Sequence, residues 1–123
     1  RCLRTVGLEP LLLQEAEGWL SRRPWEELLT WPEQQRLCLA RAIYHARAFV
    51  LLDDCTSALP PAEERELCRA ICRDWGLTPI ALSRRPFAPD TFAEELRLGD
   101  PGSPGSWQHI RAAAEGAEAA GSN

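Results

Sequence analysis

The run Phe49-Val50-Leu51-Leu52, followed at once by Asp53-Asp54, constrains this chain more than any other segment. Adjacent apolar residues lack the alternation of a half-buried strand, and the run is too short for a helix. It reads as a parallel strand covered on both faces. The downstream segments agree. A helix is expected from near Pro61, with Glu63 and Glu64 in its first turn, and Gly76 stops it. Thr78 to Ser83 then reads as a second strand that runs into Arg84-Arg85-Pro86. Strand, helix and strand in that order form a βαβ unit, which implies a parallel sheet. Open α/β sheets bind ligands at the carboxyl ends of their strands. Here that edge carries two carboxylates.

Upstream, Thr30-Trp31-Pro32-Glu33 has the spacing of a helix start: Thr30 caps, Pro32 is tolerated in the first turn, and Glu33 completes a capping box. The helix is expected to reach about His45. Leu37, Ala40 and Tyr44 lie on one side and Leu39, Ala42 and Ile43 on another, which predicts a helix packed inside the protein. Val6 to Leu29 reads as short helices broken at Gly18 and Pro24. Downstream, Glu95–Leu98 and Trp107–Ile110 are expected to pair as a hairpin across the turn-rich Gly99–Ser106. Residues 1–111 are therefore read as one partial domain, with a helical part over 1–47 and the strands over 48–111. Residues 112–123 form a tail expected to be disordered.

Composition narrows the chemistry. The chain has 123 residues, 45% hydrophobic and 26% charged, which is ordinary globular usage. A formal charge of −4 without a basic run gives no support to nucleic-acid binding. All 14 basic residues are arginine, so these residues hold neither a phosphate-loop lysine nor a Schiff-base lysine. The longest apolar stretch, Ala48–Leu52, is far short of the ~20 residues that span a bilayer. There is no methionine, even at position 1, and the chain reads as a C-terminal fragment. The five cysteines are odd in number and form no C-x-x-C pair, so buried reduced thiols are expected rather than a disulfide framework or zinc site. Cys68 and Cys72 share a helical face with Leu67, Ile71 and Trp75. Arg22-Arg23 and Arg84-Arg85 read as solvated pairs. Trp19, Trp25, Trp75 and Trp107 read as packing residues.

At the sheet edge, one carboxylate of the Asp53-Asp54 pair can hold a hydrated Mg²⁺ while its neighbour orients or deprotonates a water. The order of the parts resembles the C-terminal half of an ATP-binding cassette, the nucleotide-binding domain of an ABC transporter. Leu29-Thr30-Trp31-Pro32-Glu33-Gln34-Gln35-Arg36 falls where that family has Leu-Ser-Gly-Gly-Glu-x-Gln-Arg, and Leu39-Ala40-Arg41-Ala42 is similar to the next stretch of the family pattern. Phe49 to Asp53 resembles the Walker B strand, Asp54 sits at the catalytic glutamate position, and Thr56-Ser57-Ala58-Leu59 resembles the D-loop. Ser83-Arg84-Arg85-Pro86 falls on the switch segment. Gly18-Trp19, Trp25-Glu26-Glu27-Leu28-Leu29, Tyr44-His45 and Asp54-Cys55-Thr56-Ser57-Ala58 resemble subfamily D, the peroxisomal and lysosomal half-transporters. The resemblance implies an α/β fold, half of a P-loop NTPase domain with a small helical part. It implies ATP and Mg²⁺ as cofactors, a second nucleotide-binding domain as partner, and a transmembrane domain upstream. Asp53 would be the metal contact, Asp54 and Arg84 the catalytic positions, and Thr30, Trp31, Pro32, Glu33 and Gln35 the nucleotide-facing ones. The cytosolic face of a peroxisomal or lysosomal membrane, and a lipid-like or acyl-CoA cargo, are implied by the same resemblance.

Four departures touch that chemistry. Trp31-Pro32 replaces two glycines, which adds bulk and deletes an amide where a helix N-terminus should meet phosphate. One lost charge-assisted bond costs ~1.5–3 kcal/mol, roughly tenfold to a hundredfold in affinity. Asp54 is one methylene shorter than glutamate. Arg84 stands for a histidine and cannot accept a proton. Pro60 occupies the usual D-loop aspartate. These changes predict a degenerate cassette. The alternative is a non-hydrolysing pseudo-cassette that serves as a dimerisation or interaction module.

Overall fold

A computed structural model describes residues 1–88, 91–100 and 103–111. The chain divides into two compact units, Arg1–Ala88 and Pro89–Asn123. The first begins with short helices, α1 (Cys2–Thr5), α2 (Glu9–Gln14), a 3-10 turn at Gly18–Leu20, and α3 (Trp25–Leu28). Two long helices and two strands come next: α4 (Trp31–His45), β1 (Phe49–Asp53), α5 (Pro61–Trp75) and β2 (Thr78–Leu82). β1 and β2 pair in parallel from Phe49↔Thr78 to Asp53↔Leu82, as the strand–helix–strand order predicts. α5 stops at Gly76, whose φ of 63° lets the chain turn left-handed at no steric cost. Ala46 makes the corresponding turn after α4 with φ 47°, although it carries a Cβ.

The core of this unit is one apolar cluster. Leu39, Ala40 and Ile43 from α4, Leu67 and Ile71 from α5, and Leu52 from β1 meet Val6, Leu8, Leu59 and Leu77. Full burial of a side chain such as Ile71 or Leu39, both at 0% exposure, stabilises the fold by roughly 1.5–3 kcal/mol. The buried stripe of α4 runs Gln35, Leu39, Ala40 and Ile43, while Tyr44 is solvent-exposed. The helix is thus covered along one side, and the two-sided burial expected from its sequence is corrected. Arg36 ties the N-terminal turn to both long helices, donating to the Val6 carbonyl at 2.9 Å and pairing with Glu63. Gly7 lies against that guanidinium with φ 73°, so a side chain there would meet both strain and a close neighbour.

The strand expected to be covered on both faces is covered on one. Leu52 is buried and Val50 and Ala81 are partly so, whereas Phe49, Leu51, Ile80 and Leu82 on the opposite face are each more than half exposed. Both long helices contribute to the single cluster around Leu52. The tryptophans depart from expectation too. Trp19 and Trp107 are exposed, while Trp25 and Trp75 are half-buried. All five cysteines are free thiols, but only Cys68 is buried, and Cys38 is exposed.

The second unit holds an antiparallel hairpin, β3 (Glu94–Asp100) with β4 (Ser103–Arg111). It is longer than the expected pairing and breaks register between Leu98 and Asp100. The expected disordered tail, 112–123, and residues 101–102 within the expected hairpin turn lie outside the described residues.

Candidate functional site

The carboxyl ends of β1 and β2 are joined beyond the last ladder pair, because the Asp54 amide donates to the Leu82 carbonyl at 2.9 Å. This bond and the register bring Asp53, Asp54 and the Ser83-Arg84-Arg85 segment to one sheet edge. The side chains of Asp53, Asp54 and Arg84 are all exposed there. Asp54 has φ 50°, in the left-handed region. Short polar residues such as Asp visit that region more readily than most others, still at some cost in strain. The surroundings determine it. The Asp54 carbonyl accepts from Gln35 Nε2 at 3.1 Å and from Ser57 Oγ at 3.1 Å, while its amide is held by Leu82.

Gln35 comes from the first half of α4 and is 5% exposed. Besides the Asp54 carbonyl, its Nε2 reaches Ser57 Oγ at 2.9 Å, and its Oε1 accepts from the Ala58 amide at 2.8 Å. This differs from the nucleotide-facing position that the resemblance implies. With both amide hydrogens donated inside the chain, Gln35 has no free N–H to offer a ligand.

The first turn of α4 closes on itself. Glu33 accepts from the Thr30 amide at 2.8 Å and from Thr30 Oγ1 at 2.7 Å, and a reciprocal capping box is formed. The Thr30 hydroxyl, then its amide, hold the Glu33 carboxyl below the usual carboxylate range, so the helix end carries a negative charge. Pro32 has no amide hydrogen, and the Gln34 amide bonds the Thr30 carbonyl at 2.9 Å. Trp31 stands out into solvent at 62% exposure. A helix N-terminus attracts phosphate through free amides and its dipole. This one has most of its amides engaged and an anion in place.

Arg85 reads from the sequence as half of a solvated pair, and the structure corrects this. Its Nη2 donates to the carbonyls of Thr56 at 3.0 Å and Leu59 at 3.3 Å, and to Glu64 Oε1 at 3.1 Å. Glu64, on α5, is completely buried. The sequence hints at this only through a glutamate at a position that α5 turns inward, and nothing local marks it. Cys55 donates to the Asp53 carbonyl at 3.3 Å, and burial is the main cause that raises its thiol above the ordinary range.

Among the described residues, no group of three or more His, Cys, Asp and Glu could hold a metal ion by itself. Mg²⁺ is commonly bound by one or two carboxylates, with waters and substrate phosphates filling the rest. Asp53 and Asp54 fit that partial role. No family model matches the chain. Comparison with curated proteins does find relatives. ABC transporter D family member 1 of Arabidopsis thaliana is 40% identical over 106 residues, 86% of this chain and 8% of the relative. The chain's homologues are ABC transporters of subfamily D. The human ATP-binding cassette sub-family D member 3 is 36% identical over 74 residues, covering 60% of this chain and 11% of that protein. The lysosomal cobalamin transporter ABCD4 of Mus musculus is 36% identical over 114 residues, 90% of this chain and 18% of the relative. The chain thus spans less than a fifth of the length of these ABC transporters. No helix among the described residues is long and apolar enough to cross a membrane.

Proposed function

We propose that the chain is the C-terminal portion of a subfamily-D nucleotide-binding cassette, half of a P-loop-type domain whose ATPase chemistry is degenerate. The observation that carries this is the shared edge: Asp53, Asp54 and Arg84 at the carboxyl ends of two parallel strands, with α4 bonded to that edge through Gln35. The open apolar face of β1–β2 suits the reading, since parallel sheets are normally covered on both sides. Asp53 would hold Mg²⁺ through water, Asp54 would orient the attacking water, and Arg84 would place a fixed cation beside the transferred phosphate. Thr30, Trp31, Pro32 and Glu33 would face nucleotide held by a second cassette. Magnesium, when bound, would neutralise charge on the phosphates. The complete polypeptide would carry a membrane domain, dimerise, and move a lipid-like or acyl-CoA cargo across a peroxisomal or lysosomal membrane.

The engaged first turn of α4 favours a second reading, a non-hydrolysing cassette that supports a partner. A chimera separates the two. Residues 2–111 replace the matched stretch of an active subfamily-D relative, and ATPase activity is measured in the assembled transporter. Degeneracy predicts a rate at least about tenfold below the parent. It also predicts recovery on Trp31→Gly, Pro32→Gly, Asp54→Glu and Arg84→His together. A chimera as fast as the parent overturns the degenerate state, and a repaired chimera that stays inactive favours the second reading.

A further inference from the structure

The loop between β1 and α5 is held from two sides by side chains that the proposed chemistry does not use directly. From α4, Gln35 takes the Asp54 carbonyl, Ser57 Oγ and the Ala58 amide. From beyond β2, Arg85 takes the Thr56 and Leu59 carbonyls and anchors on the buried Glu64. Thr56 and Leu59 are themselves buried, at 5% and 3% exposure. Between the clamps, Asp54 keeps a left-handed backbone. Strained residues persist where their surroundings over-determine them, and such residues cluster at functional sites.

We propose that Gln35 and Arg85 are positioning residues, which together fix the backbone of Asp54 relative to the α4 terminus and to Arg84. This rests on the reading of Asp54 as the water-orienting carboxylate. Gln35 couples α4 to the loop: a shift of that helix moves the Asp54 carbonyl and the Ala58 amide with it. Arg85 couples the loop to the segment that carries Arg84, because one guanidinium spans both and a buried carboxylate fixes it. A glutamate at 35 could accept from Ala58 but would set an anion against the Asp54 carbonyl.

The test uses amide hydrogen exchange in the full 123-residue chain, which needs no nucleotide. Gln35→Ala is expected to speed exchange of the Ala58 amide, and Arg85→Ala that of the Leu59 amide, each by about tenfold. Amides inside α4, such as Leu39 and Ile43, are expected to stay within about twofold. If Arg85→Ala unfolds the chain by leaving Glu64 buried and unpaired, the double variant Glu64→Leu, Arg85→Leu removes both charges and keeps the apolar volume. It is expected to fold and still release Leu59. Unchanged loop amides in either arm, or equal acceleration throughout the first unit, overturns the proposal. The functional arm is the repaired chimera. Gln35→Ala and Gln35→Glu are expected to lower kcat at least about tenfold with KM for ATP within about twofold. A rise in KM with kcat unchanged would place Gln35 in nucleotide binding and overturn the positioning role. If the repaired chimera is inactive, the functional reading has failed, while the exchange experiment still decides whether the clamps exist.

Discussion

The two faces of the β1–β2 pair are made of similar apolar residues, yet only one of them is covered. Leu52, with Val50 and Ala81, packs into the cluster formed by α4 and α5. Phe49, Leu51, Ile80 and Leu82 on the other side are 51–68% exposed. The covered face is held by side chains far apart in sequence, such as Leu39 and Ile71. The open face is equally fit for burial and stays exposed. Apolar continuity in a strand therefore records what the sheet can bury and leaves the covering partner unspecified. Contiguous exposed apolar patches mark interaction surfaces in soluble domains. This one adjoins the edge that carries Asp53 and Asp54.

Substitutions can break the contrast. Ile71→Ala in the covered cluster should give the largest loss, about 2–5 kcal/mol, read as a lower urea midpoint with unchanged slope. High pH should act on the same face through Cys68, whose thiol is pushed up to about 12, first by burial and then by the Glu64 charge. An unfolded thiol ionises at lower pH, so the contribution is fully present below the ordinary thiol range. It is lost as pH rises towards about 12. Urea melts across alkaline pH, with Cys68→Ala as control, should show that slope flattened in the variant. At the edge between the faces, Asp54→Val should cost about 1–3 kcal/mol through its left-handed backbone, and Asp54→Asn close to nothing. Thr30→Ala should cost about 1 kcal/mol from the lost cap, and Thr30→Ser much less. On the open face, Leu51→Thr or Ile80→Thr should change stability by no more than about 0.5 kcal/mol. A loss as large as that of Ile71→Ala would show the open face to be covered.

The elements that carry a local signal are legible in the sequence. The capping box at Thr30 and Glu33, the stop at Gly76 and the parallel pairing of Phe49–Asp53 with Thr78–Leu82 all appear as expected. Placement at the sheet edge is legible for Asp53, Asp54 and Arg84, because the end of a strand and the register are set by neighbouring residues. Gln35 and Arg85 are not legible in the same way. The first falls in the stretch that resembles the family signature yet bonds within the chain, and the second sits in a basic pair yet meets a buried carboxylate. Both side chains reach partners 19 to 29 residues away, and no local pattern encodes that distance.

Periodicity, caps and strand order depend on residues a few positions apart, so the amino-acid string alone determined the two long helices, the strand pair between and after them, and that its acids end a parallel strand. Tertiary packing decided which face of that strand is covered, the direction in which Gln35 and Arg85 point, and the left-handed backbone of Asp54. Those outcomes arise from contacts between segments that meet only once the chain has collapsed around Leu39, Leu52 and Ile71.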